Sequence, residues 1–210
     1  MKKLIALLAV VTSMAVLSPA AALADEADSA SMPTLADILL ADSDSDRDGF
    51  DRRSWDYDIV TQAILAFPDL TDAALNPDAE LTVFLPRDSA FRRLVYEISG
   101  EWIRSEAKIF DAVVGLGLDT VKTVLDYHVV PGAKIDYATA LQANGAELTT
   151  LQGGTIKVKV KSFLWWKWIK LVDADKDDRN PRVSQPNIGG EASNGFAHGI
   201  NRVLRPIDLP

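Results

Sequence analysis

Residues 82–91 read TVFLPRDSAF, and this stretch holds the junction on which the fold turns. Leu81, Val83 and Leu85 alternate with Thr82 and Phe84, the period of a half-to-fully buried strand. Pro86 ends it, because proline has no amide hydrogen to continue a ladder. Asp88 then stands where a helix N-cap is wanted, and Phe91, Leu94, Val95 and Ile98 form the inward stripe of the helix it opens. Gly100 closes that helix.

Upstream of this junction the pattern is helical. Thr34 caps a short apolar segment, Leu35 to Ala41, with Asp37 in its first turn. Ile59, Ala63, Ile64 and Phe67 then mark one face of a second helix, which Pro68 stops, and Asp69 to Leu75 make a third. Downstream, Ser105 opens a helix carrying Ile109, Phe110, Val113 and Val114, and Asp119 caps another that runs into Tyr127. Beyond His128-Val129-Val130-Pro131-Gly132 the character changes to strands, predicted at 147–151, 155–161, 167–172, 182–188 and 197–204, with one helical interruption at 137–143. Helices gathered early and strands late give an α+β domain.

The amino terminus carries an expectation of its own. Lys2 and Lys3, the apolar run Leu4 to Leu17 and the small-x-small site Ala22-Leu23-Ala24 read as a secretory signal over 1–24, cleaved after Ala24. An uncut anchor is the alternative. Residues 25–33 form a polar, flexible leader and 34–210 the folded domain. Export without any cysteine suits a bacterial source and leaves the core alone to hold the fold. The absence of cysteine also excludes thiolate chemistry and disulfides. The net charge of −8, made more negative by removal of the two lysines, argues against nucleic acid as a partner and attracts divalent cations.

Three segments in order resemble the fasciclin family. They are TVFLPRDSAF (82–91), LDYHVVPG (125–132) and NGFAHGINRVLRP (194–206). They are similar to the family's strand-to-helix, Tyr-His and closing-strand motifs, and flanking likeness extends from Thr34 to Leu209. Leu85, Arg87, Gly199 and Asn201 depart from residues usual at those positions. The resemblance implies a single domain in which a wedge of β-strands packs with a helical cluster. It also implies a place outside cells among matrix, surface and adhesion proteins, without typical enzymatic activity. The pair matching Tyr127 and His128 is associated with receptor contact in animal fasciclin proteins, which makes both candidate partner-binding residues. Their own setting, between Leu125 and Val129-Val130, instead suits a core aromatic and a histidine bonded to backbone.

Three further stretches carry candidate chemistry. DSDRDGFD (44–51) places Asp44, Asp46 and Asp48 at alternate positions with Gly49 sixth, as in the first half of a calcium loop. Its twelfth position is Trp55, where a bidentate Glu would complete the shell, so calcium is the one candidate cofactor and its motif is incomplete. Asp173, Asp175, Asp177 and Asp178 make a second acidic turn. SFLWWKWIK (162–170) holds three of the five tryptophans around a hairpin turn. Strand side chains alternate faces, so some of Trp165, Trp166 and Trp168 must be exposed, beside Lys161, Lys167 and Lys170. Such a surface suits a sugar ring, a membrane interface or a partner protein.

Nucleophilic catalysis would need His128 or His198 as base, with Ser193 the nearest serine, and no nucleophile elbow surrounds any serine. The function expected is therefore an extracellular adhesion or binding module that contacts a cell-surface or matrix protein or a polysaccharide. A carrier or sensor of a small apolar or glycan ligand is the alternative, and a hydrolase the third.

Overall fold

The structure, a computed structural model, describes residues 32–43, 49–51 and 53–208. The expected signal segment, most of the leader, and Asp44, Asp46 and Asp48 lie outside the described residues.

Helices come first. α1 (Leu35–Ser43), α2 (Asp58–Leu65) and α3 (Pro68–Leu75) precede β1 (Leu81–Pro86), and α4 (Asp88–Ser99), α5 (Glu106–Val114) and α6 (Leu118–Tyr127) follow it. Then come β2 (Val129–Pro131), α7 (Tyr137–Ala140), β3 (Glu147–Thr149), β4 (Thr155–Phe163), β5 (Trp166–Val172), β6 (Val183–Gln185) and β7 (Gly195–Ile200). One sheet has the order β2-β1-β7-β6, the other β3-β4-β5. From Ser31 to Pro210 these elements form one compact unit. Among the described residues no helix is long and apolar enough to cross a membrane.

β1 explains the layering. All six of its residues are buried, as a strand covered on both faces requires. Leu81, Val83 and Leu85 join a core with Ile59, Phe91, Leu94, Ile109 and Leu125 from the helices. Phe84, of opposite parity, joins a second core with Ile156, Val158, Ile169 and Leu171 from the other sheet. The first sheet is therefore the middle layer between helices and the β3-β4-β5 sheet. Each large apolar side chain so buried contributes roughly 1.5–3 kcal/mol.

The three motif segments meet in that middle sheet. β1 pairs parallel with β7, from Leu81 opposite Gly195 to Pro86 opposite Ile200, and antiparallel with β2, Thr82 opposite Val130. Asn194, which starts the closing segment, has no exposed surface and makes three bonds. Its Oδ1 accepts the Leu35 amide at 2.9 Å, and its Nδ2 donates to the carbonyls of Ala74 and Asn76 at 2.8 and 3.1 Å. One side chain thus ties α1 and the end of α3 to the root of β7.

Local detail departs from expectation at Asp88, Asp119 and Pro68, and accounts for Gly199. Asp88 does not cap its own helix: it is the first residue of α4, and its Oδ1 accepts the Ile59 amide of α2 at 3.0 Å. Tyr57, the N-cap of α2, makes no side-chain cap bond, so Asp88 supplies that acceptor from a neighbouring element. Asp119 lies in the first turn of α6, whose N-cap is Gly117 at φ 96°, a left-handed value natural to glycine. Pro68 opens α3 at its first position besides bounding α2. Gly199, an unusual choice for the family motif, lies against Tyr57, and any Cβ there would overlap the tyrosine hydroxyl.

Candidate binding surface

The β4–β5 hairpin is built by pairing Phe163 with Trp166, Lys161 with Trp168 and Val160 with Ile169. Ile156, Val158, Ile169 and Leu171 point to the core. The pleat therefore sends Lys159, Lys161, Phe163, Trp166, Trp168 and Lys170 to the opposite face. Trp166 and Trp168 share that face, two residues apart on one strand. At the tip, Phe163, Leu164, Trp165 and Trp166 are 67, 73, 79 and 66% exposed. Trp168, nearer the body, is half-buried.

The turn itself is unfavourable by folding criteria. Leu164 sits at φ 54°, where Asn or Gly is the usual choice and a larger side chain is strained. An apolar residue here is both strained and wet, so stability alone does not account for it. Lysines flank the tip. Lys157 pairs with Glu147 at 3.1 Å, whereas among the described residues Lys159, Lys161, Lys167 and Lys170 have no carboxylate partner. The hairpin thus presents aromatic and positive groups together on an otherwise acidic chain.

Tyr127 and His128 lie inside, which corrects their assignment as partner contacts. They are 0 and 2% exposed, and neither offers a surface to a partner. The Tyr127 hydroxyl donates to the Thr155 carbonyl at 2.7 Å, fixing the root of β4 to the end of α6. Burial pushes this phenol up to about 12. The Leu204 amide donates to His128 Nε2 at 3.0 Å, so the ring's proton must sit on Nδ1, which donates to the Val124 carbonyl at 2.6 Å. Burial holds the imidazole down to about 4, and the carbonyl only partly offsets this.

His198 is a clamp of the same kind with the opposite tautomer. Its Nδ1 accepts the Asn187 amide at 3.3 Å, leaving Nε2 to donate to the Ile135 carbonyl at 2.8 Å. Burial lowers its affinity for a proton as well. The acceptor nitrogen of each histidine already takes a backbone N–H, so neither is placed to draw a proton from Ser193 as a hydrolytic base would.

The other candidates resolve differently. The 173–178 turn engages arginines: Arg205 reaches Asp175 and Asp178 at 3.6 and 3.3 Å, and Arg202 reaches Asp178 at 3.6 Å. Apolar cavities inside the domain measure about 40, 30 and 20 Å³, room for water but far below the roughly 300 Å³ a small ligand needs. A larger open depression of about 780 Å³ lies beside Phe50, Arg92, Trp102, Arg104 and Glu106. Phe163 and Leu164 belong to the exposed tip although the sequence pattern singled out the tryptophans and their flanking lysines. The alternation that flagged Trp166 would have flagged Phe163 once the two were paired.

The chain matches the Fasciclin domain family model over residues 58–206. Among solved structures it is similar to the FAS1 domain pair from the insect cell adhesion molecule fasciclin I, at a TM-score of 0.58 and 16% identity. The match covers 83% of this chain and 51% of that one, so this chain spans about half its length. At that identity the likeness speaks for fold alone. No curated protein matches the chain.

Proposed function

The chain belongs to the fasciclin domain family, a family of cell-adhesion-associated modules, and on that premise we propose that it is an extracellular adhesion or binding module whose contact is the Phe163–Trp166 hairpin tip. The observation that carries this reading is the tip itself: four consecutive large apolar residues, all about two-thirds exposed or more, with Leu164 in a strained turn. Aromatic faces ringed by lysines suit a sugar polymer, a protein at a cell surface or in a matrix, or the headgroup region of a membrane. For a carrier or sensor the open depression beside Trp102 offers more room than the water-sized apolar cavities inside the domain.

Replacing Phe163, Trp165 and Trp166 together with serine tests the contact. Trp168 is left intact because it is half-buried and its loss would disturb packing. Binding to whole cells, to a polysaccharide panel and to phosphatidylserine–phosphatidylcholine vesicles should fall at least about tenfold, while the melting temperature stays that of the wild type. Full binding by the triple variant would rule the hairpin out as the contact.

A further inference from the structure

Five carboxylates gather at the start of three helices. Asp51 and Asp56 precede α2, and Asp58, Asp88 and Glu106 are the first residues of α2, α4 and α5. Carboxylate oxygens of Asp51, Asp56 and Asp58 lie within 4.8 Å of one another, and so do those of Asp58, Asp88 and Glu106. Asp58 therefore belongs to both triads. Oxygens bound to a single calcium ion at about 2.4 Å can be at most about 4.8 Å apart, so each triad has the span of one coordination shell.

Burial makes this arrangement hard to sustain as bare negative charge. Asp56, Asp58, Asp88 and Glu106 are 8, 1, 0 and 2% exposed. Among the described residues, several groups face them. Asp58 Oδ2 accepts the Asp51 amide at 3.1 Å, and Arg53 pairs with Asp51 at 3.2 Å. Arg92 comes within 3.8 Å of Glu106. Asp88 Oδ1 takes the Ile59 amide, but among the described residues its Oδ2 and Asp56 Oδ1, both shut off from solvent, meet no N–H or hydroxyl donor, and the Asp56 and Asp88 carboxyls can bond each other only by sharing a proton. Buried oxygens aimed among other carboxylates without a donor call for a positive counterpart, a cation or a proton.

We propose that Asp51, Asp56, Asp58, Asp88 and Glu106 form a binding site for a divalent cation of the calcium type. Calcium fits better than magnesium, since a cage made almost wholly of protein oxygens from four stretches of chain is irregular, and magnesium holds an octahedron of its own waters. The site uses none of Asp44, Asp46 and Asp48, and it is independent of the hairpin contact. The rival neutraliser is the proton, because burial pushes Asp56, Asp58 and Asp88 up to about 6, about 7 and about 10. Only a cation gives a response to added metal at fixed pH.

The full chain, stripped with EDTA, is titrated with calcium from about 0.01 to about 10 mM near pH 7.5, a span that covers weak calcium modules. Thermal melting and terbium luminescence excited through tryptophan are the readouts. Calcium should raise the melting temperature by several degrees and displace terbium. Asp56→Asn with Asp58→Asn should melt no lower than the wild type without calcium, since repulsion is relieved, yet lose the calcium shift and bind terbium at least about tenfold more weakly. If that pair does not fold, Glu106→Gln is read in the same way. Replacing Asp44, Asp46 and Asp48 with asparagine should leave the shift in place. A flat calcium response in the wild type, a shift that survives the Asp56/Asp58 pair, or a shift lost only in the triple loop variant would each overturn the proposal.

Discussion

Acidification should weaken the centre of the domain through His128, by an amount set by how far burial lowers its proton affinity. Nε2 accepts the Leu204 amide and Nδ1 donates to the Val124 carbonyl, so a second proton would set N–H against N–H on a ring 2% exposed. The folded value of about 4 lies below the 6.5 of an unfolded chain, a gap worth about 3 kcal/mol. Between those values the unfolded chain binds more protons than the fold. The contribution is therefore complete above about pH 6.5 and is lost as the pH falls through to about 4. His128→Gln removes the titration and leaves one backbone partner unpaired, costing about 1–3 kcal/mol near pH 7. Urea unfolding of both proteins near pH 7, 5.5 and 4.5 supplies the comparison, and the other titrating groups, such as Asp173, pushed up to about 6 by burial, cancel in the difference. The wild type's advantage should shrink by roughly 2–3 kcal/mol between the ends of that range. A difference that stays constant with pH would refute the tautomer and the clamp together.

Two further substitutions probe the scaffold. Asn194→Ala orphans the Leu35 amide and the carbonyls of Ala74 and Asn76, and should lower the unfolding free energy by about 3 kcal/mol or more, with faster hydrogen exchange at Leu35 as its local sign. Gly199→Val, which restores the β-branched type common to the family, should cost about 2 kcal/mol by driving a Cβ into the Tyr57 hydroxyl. Tyr57→Phe should recover part of that loss in denaturant melts of the double variant, and no recovery would remove Tyr57 as the cause.

Much of this architecture was legible in local pattern. The steps Ile59, Ala63, Ile64 and the alternation Leu81, Val83, Leu85 are short-range signals, and α2 and β1 appear where those signals put them. Pairings across long separations were not. Nothing near Asp88 announces that its oxygen serves Ile59, 29 residues earlier, nor does the spacing of β1 reveal a parallel partner beginning at Gly195. The acidic loop illustrates the same limit. Counting twelve positions from Asp44 arrives at Trp55, whereas Asp58, Asp88 and Glu106, which converge, are set by helix starts rather than by a loop frame. For the hairpin, alternation required some tryptophans outside, but only the pairing of Phe163 with Trp166 assigns the face.

The parallel ladder between β1 and β7 also has a kinetic side. Its two strands are separated by more than half of the folded segment, so the helices can assemble while one edge of β1 still waits for a partner. During that interval a ribbon with apolar groups on both faces is open to any other extended chain, and Pro86 is the residue in it best suited to discourage such docking. Late arrival of residues 195–200 thus sets the vulnerable period of this molecule, and whatever slows their delivery lengthens the time in which copies can stick to one another instead of closing.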